Sequence, residues 1–171
     1  MRPLLTHDPS CFIADAMLGR LARWLRILGY DTAYEKVITD ESLIERTIQE
    51  NRWLLTRDRR LTECKVIRSR CTLIAHDDLE GQLRQLHQDL KVDLGMNHRR
   101  SYRCADCNVV LLSIPYDEAA PLVPPVVARQ HQEFLQCAHC RRVFWQGSHW
   151  EDLNARLAAA KQQGTGQATL R

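Results

Sequence analysis

Two C-x2-C pairs constrain this chain more than any other feature: Cys104 and Cys107 in "CADC", Cys137 and Cys140 in "CAHC", with 29 residues between them. In a reducing compartment, paired cysteines point to metal before disulfide. Two such pairs supply the four thiolates of a tetrahedral zinc site. The gap exceeds the commonest zinc-finger spacing, so the expectation is a zinc ribbon with a long loop between its knuckles. A redox C-x-x-C would need one pair beside a thioredoxin-like strand and would leave the other pair unexplained. His139 and His149 are nearby donors, but four cysteines already close the shell. Cys11, Cys64 and Cys71 are scattered and read as small buried hydrophobes.

The rest of the chain is large enough for a second, independent core. Of 171 residues 44% are hydrophobic and 26% charged, a globular composition. No apolar run reaches the roughly 18 residues that span a bilayer. "MRPLLTHDPS" has no continuous apolar segment, so no signal peptide is expected and an intracellular, cytoplasmic protein is. The net charge of +3 is unevenly held. Residues 1–95 carry 15 Lys+Arg and 15 Asp+Glu, and residues 96–171 carry 9 and 6, so all the excess is C-terminal.

Before residue 95 the pattern alternates between strand and helix periods. "CFIA" suits a buried strand; Leu18, Leu21, Ala22, Leu25 and Leu28 then recur at helical spacing until Gly29. "DTAYE" is a second strand. "TDESLIERTIQEN" is a helix with Thr39 or Asp40 as N-cap and Leu43, Ile44, Thr47 and Ile48 on one face. "RWLLTRD" and "CTLIA" are further strands, and "RLTECKVIRSR" between them has no clear period. "DDLEGQLRQLHQDLKV" is an amphipathic helix capped by Asp78, with Leu79, Leu83, Leu86 and Leu90 inward. Strand–helix alternation with short connections predicts an α/β fold with a mainly parallel sheet covered on both faces. The expected domains are 1–95, then a zinc-ribbon unit over 96–161 that includes a C-terminal helix, then a polar tail over 162–171. "DLGMNHRRSY" is the linker. On this reading, loss of zinc unfolds the C-terminal part and spares the α/β domain.

In an open parallel sheet, ligands bind beyond the carboxyl ends of the strands. Asp15 follows the first strand, Asp58 the third, Asp40 opens the second helix, and Asp77 follows the fourth strand, so these acids should gather on one edge. Asp40 is also a good N-cap, and Asp77 reads equally as a loop residue. Converging carboxylates repel unless a cation lies between them, and hard oxygen donors suit Mg²⁺ or Mn²⁺. Such ions serve phosphodiester hydrolysis. Other phosphate chemistries fit less well. "MLGRLARW" lacks the lysine and hydroxyl of a P-loop, and no Gly-rich dinucleotide turn follows the first strand. Met17 stands where a haloacid-dehalogenase phosphatase has its second aspartate. No nucleotide cofactor is expected.

"FIADAMLGRLARWLRILGYDT", "TDESLI" and "NRWLLTRDRRL", in that order over roughly residues 11–90, resemble the PIN-like ribonuclease domain of the Mut-seven C-terminal RNase family. The resemblance continues into "WQGSHW", similar to the motif that ends the zinc ribbon in members of that family. It implies metal-binding acids at Asp15, Asp40 and Asp58. PIN domains often add a fourth acid near the third. Here Arg59 and Arg60 follow Asp58, so that acid is missing or replaced by Asp77.

The expected activity is therefore Mg²⁺- or Mn²⁺-dependent hydrolysis of RNA, single-stranded or structured, with structural zinc at Cys104, Cys107, Cys137 and Cys140. Arg20, Arg23 and Arg26 step by three along one side of their helix. Arg20 and Arg23, with Arg57 beside Asp58, are candidates for holding phosphates; a solvated surface is the alternative. Arg99, Arg100, Arg103, Arg141 and Arg142 either balance the thiolates or contact RNA. Tyr102, Phe144, Trp145 and Trp150 are either core or base-stacking groups. The rivals to catalysis are a non-catalytic RNA- or ribosome-binding protein using the basic ribbon, and an interaction adaptor using it as a rigid platform.

Overall fold

Strand β1 (Cys11–Ala14) sends Phe12 and Ala14 into one hydrophobic cluster and Ile13 into another. That period-two split is what a strand buried on both faces requires. β2 (Asp31–Tyr34), β3 (Trp53–Thr56) and β4 (Cys71–Leu73) join it in a fully parallel sheet of order β2-β1-β3-β4. The computed structural model describes residues 10–95 and 102–145, with Ala155 and Ala158 in helical conformation. The N-terminal ten-residue motif up to Pro9, most of the linker with Arg99 and Arg100, "WQGSHW" beyond Trp145 with His149 and Trp150, most of the expected C-terminal helix and the 162–171 tail lie outside the described residues.

Helices α1 (Gly19–Ile27) and α4 (Leu79–Leu90) cover one face of the sheet, burying Leu18, Leu21, Leu25, Leu83 and Leu86 with Phe12 and Leu55. A 3-10 turn at Ala16–Leu18 precedes α1, and Gly29 at φ 88° ends it, a conformation that costs glycine little. On the other face, α2 (Asp40–Gln49) and the five-residue α3 (Arg59–Glu63) bring Leu43 and Leu61 onto Ile13, Leu54 and Ile67. The expected α/β class, a parallel sheet sandwiched by helices, is what the chain adopts. Ile48 departs from the expected inner face and is 47% exposed, because Leu43 and Thr47 already fill that stripe. Cys11, Cys64 and Cys71 are half-buried at the margins rather than fully inside.

Beyond the linker, β5 (Leu111–Ile114), β6 (Phe134–Cys137) and β7 (Val143–Phe144) form an antiparallel sheet of order β5-β6-β7. The expected loop between the knuckles is largely helical: α5 (Tyr116–Ala119), a 3-10 turn at Ala120–Leu122 and α6 (Pro125–Gln130). Its prolines start helices instead of breaking them. Pro115 and Pro124 occupy the N-cap positions and Pro125 the first turn of α6, where the missing N–H has no partner to lose. Ala119, Val123, Ala128 and Phe134 make a small core with Trp145 packed against it, so this tryptophan serves packing.

The two units meet along β2. The buried Arg26 donates to the carbonyls of Thr32 at 2.8 Å and of Ala105 and Asp106 at 2.9 Å. Asn108 accepts from the Thr32 N–H at 3.0 Å and donates to Asp31 at 2.8 Å. Arg23, expected on a phosphate-facing side of α1, forms an ion pair with Asp106 at 3.0 Å. The step of three thus turns the arginines progressively from solvent into this seam.

Candidate active site and metal centre

Strand order 2-1-3-4 reverses direction between β1 and β3, and a doubly wound sheet opens a crevice beyond the carboxyl ends there. Asp15 leaves β1 at that point and is 7% exposed. Its Oδ1 accepts from the Met17 N–H at 2.9 Å; its Oδ2 accepts from the Thr56 hydroxyl at 2.6 Å and the Arg57 N–H at 2.7 Å. Thr56, wholly buried at the end of β3, also accepts from the Asp58 N–H at 3.0 Å. One hydroxyl therefore ties the first acid to the loop that carries the third. Sequence reasoning passed over Thr56. Its only signal is a β-branched hydroxyl residue ending an apolar strand directly before "RD".

Asp58 caps α3 through the Arg60 N–H at 2.8 Å and forms an ion pair with the Arg60 guanidinium at 2.8 Å. The Arg60 hydrogen bonds hold its carboxyl below the usual carboxylate range. Asp40 begins α2, but the cap is Thr39, whose hydroxyl accepts from Ser42 N–H at 3.2 Å. Capping therefore does not account for Asp40, which lies exposed and contributes to the field on Arg60. Asp77 is 87% exposed and pairs with Arg57, while Asp78 caps α4 as expected. Arg20 is exposed and has no ion-pair or hydrogen-bond partner among the described residues. At the rim Tyr34 donates to the Ala16 carbonyl at 3.2 Å. A Cβ on Gly19 would come within 2.5 Å of its hydroxyl, so glycine permits this crossing.

The expected gathering of acids is only partial. Among the described residues, the four cysteines are the group of three or more ligand side chains whose donor atoms lie within 4.8 Å of one another. Asp15, Asp40 and Asp58 do not approach so closely, because Asp15 is bound inward and Asp58 lies against Arg60. Their donor chemistry still fits a hard divalent cation.

Cys104, Cys107, Cys137 and Cys140 fit zinc directly. The Sγ atoms of Cys104 and Cys140 are 3.8 Å apart, matching the edge of about 3.8 Å that Zn–S bonds of about 2.3 Å give a tetrahedron. The knuckles repeat one backbone geometry. Asn108 and Arg141 both sit at φ 63°, each donates its N–H back to the carbonyl of the first cysteine, and Val109 and Arg142 accept from the N–H of that cysteine. A hydrogen bond from the Arg142 N–H pulls the Cys140 thiol down to about 7. Arg142 pairs with Asp106, and Arg103 lies 3.6 Å from Asp31. Arg103 and Arg142 thus serve internal contacts, while Arg141 is exposed and has no side-chain partner among the described residues.

Asp31 gives the seam a pH signature. Burial opposes its ionisation, but hydrogen bonds from Arg52 and Asn108 and the charges of Arg52 and Arg103 outweigh burial and hold its carboxyl below the usual range. A depressed folded-state value stabilises the fold above about pH 4, the unfolded value, and that contribution is lost as pH falls through the folded value. Unfolding midpoints of wild type and Asp31→Asn, measured from pH 7 to 2.5, should therefore differ at neutral pH and converge in acid. Parallel curves would contradict this account.

A family model described as Mut7-C RNAse domain matches residues 10–157 of the chain. No curated protein and no solved structure matches it.

Proposed function

The chain belongs to the Mut7-C RNase domain family, and from that premise we propose that it is a divalent-cation-dependent ribonuclease hydrolysing RNA phosphodiester bonds. Family membership implies a ribonuclease-type function and RNA as substrate. Residues 1–95 would carry the chemistry and 96–161 a zinc ribbon held by Cys104, Cys107, Cys137 and Cys140. The observation that carries the reading is the Thr56 hydroxyl at the β1/β3 switch point, which binds the Asp15 carboxylate and accepts from the Asp58 N–H, holding the two strand-end loops together.

Asp15, Asp40 and Asp58 would hold Mg²⁺ or Mn²⁺, which when bound supplies a polarised phosphoryl oxygen and a more acidic water. Thr56 and the Arg57 N–H fix the orientation of the Asp15 carboxylate at the end of β1. Arg20 offers a free guanidinium for a phosphate, whereas Arg57 and Arg23 would have to exchange Asp77 and Asp106 for it. The non-catalytic alternative, RNA binding by a basic ribbon, loses Arg103 and Arg142, which are already paired with acids, and would rest on Arg141 among the described residues.

Protein dialysed free of Mg²⁺ and Mn²⁺, with its zinc content verified, should leave a labelled single-stranded RNA intact and cleave it when either ion is added. Cleavage that ignores both ions would contradict the proposal. Thr56→Val keeps the strand's shape and removes the hydroxyl that orients Asp15. Loss of such an orienting group typically lowers activity about 10- to 100-fold. Turnover at the wild-type rate would show that Asp15 needs no such support.

A further inference from the structure

A pocket of about 220 Å³ lies between α1 and α4, lined by Arg20, Trp24, Asp78, Leu79, Glu80 and Leu83. Both helices begin at the carboxyl end of the sheet, so the pocket shares an edge with Asp15. We propose that it is a nucleobase-binding subsite for single-stranded RNA, in which Trp24 stacks on the base and Arg20 holds the adjoining phosphate.

The lining divides its tasks by chemistry. Trp24 sits one helical turn after Arg20 on the same face and is half-buried, anchored against the leucine core with the rest of the indole left open. Leu79 and Leu83 supply an apolar wall. The pocket is smaller than the roughly 300–1,000 Å³ of a site for a drug-sized molecule, which suits one base rather than a larger cofactor. Charge complementarity selects the occupant. Arg20, unpaired among the described residues, faces the same volume as Glu80. A ligand must therefore present an anion to one side and hydrogen-bond donors to the other, as a nucleotide does. Asp78 is committed to the Gly81 N–H at 2.8 Å, so Glu80 is the carboxylate left to read the base. A carboxylate accepts from exocyclic amino groups such as cytosine N4, which uracil lacks.

This subsite rests on the ribonuclease reading for its polymer, but binding measured without divalent cations tests it apart from cleavage. Fluorescence anisotropy of labelled oligo(C) and oligo(U) with the full chain should show oligo(C) bound more tightly. Trp24→Leu, which keeps apolar packing and removes the stacking face, should weaken oligo(C) binding roughly 5- to 100-fold. Arg20→Ala should lower the salt slope of log affinity by about 0.7. Glu80→Gln should narrow the gap between the two oligomers. Should Trp24→Leu fail to fold, Trp24→Phe keeps a smaller ring and should give an intermediate loss. A folded Trp24 variant with wild-type affinity, or no RNA affinity in the wild type, overturns the subsite. Trp24-dependent binding by a protein that cleaves nothing keeps the subsite and removes the catalytic proposal instead.

Discussion

Cys107→Ser should emerge from purification without zinc and unfold roughly 10 °C or more below the wild type, with the parallel sheet affected as well as the ribbon. A structural zinc site contributes its binding free energy to folding, and several kcal/mol shift the midpoint by about 2–4 °C each in a chain of this size. Sequence reasoning expected the α/β domain to survive that loss. Arg26 argues otherwise. It is 5% exposed, and two of its three carbonyl acceptors, Ala105 and Asp106, lie inside the first knuckle. Burial already pushes its guanidinium down, and Cys104, Asp106 and Cys107 push the other way. A disordered knuckle withdraws both the acceptors and the countercharge, and stripping the partners from a buried charge costs about 3–5 kcal/mol. Elemental analysis, a thermal melt and amide exchange over α1 and β2 check this. Protection of those amides equal to wild type would restore the picture of two independent units.

Asp15→Asn should lower RNA cleavage about a thousandfold while leaving zinc content near wild type, with a thermal midpoint lowered by several degrees because its amide NH2 faces a backbone N–H that the carboxylate accepted from. The amide still accepts a hydrogen bond through one oxygen but is a much weaker ligand for a hard cation. A metal ion contributes several kcal/mol of transition-state stabilisation, and about 4 kcal/mol is three decades in rate. Single-turnover cleavage with saturating Mn²⁺ separates that chemical loss from weak binding. Turnover within a few-fold of wild type would remove Asp15 from the catalytic role. Asp40→Asn is a sharper probe than it first looks, because Thr39 holds the cap. Lost activity in that variant cannot be blamed on the helix end.

Much of the sheet was legible because buried parallel strands and leucine-striped helices write their periods plainly. Leu18, Leu21, Leu25, Leu83, Leu86 and Leu90 face inward as their spacing predicts. The four cysteines were legible for a different reason: thiolate ligands have few other uses in a reducing compartment. Illegible features were those in which a side chain acts on a distant backbone. Nothing in "RWLRILG" says that Arg26 will reach residues 79 and 80 positions onward. Nothing in "LLTRD" says that Thr56 will join the Asp15 carboxylate to the Asp58 backbone. The prolines between the knuckles misled because Pro reads as a breaker unless the helix it starts is already known.

Both outer edges of the parallel sheet end in a side-chain amide. On β4, Gln85 donates to the Leu73 carbonyl at 2.7 Å and accepts from the Ala75 N–H at 3.0 Å, so the sheet's own helix shuts that side. On β2 the equivalent cover is Asn108, which reaches Thr32 and Asp31 from the turn that follows Cys107. An uncovered strand edge is a template for pairing with another chain. Where zinc closes that knuckle, its supply would govern the solubility of the newly made polypeptide. In a zinc-starved cell the molecules at risk are those whose β2 edges meet one another before a knuckle closes over them.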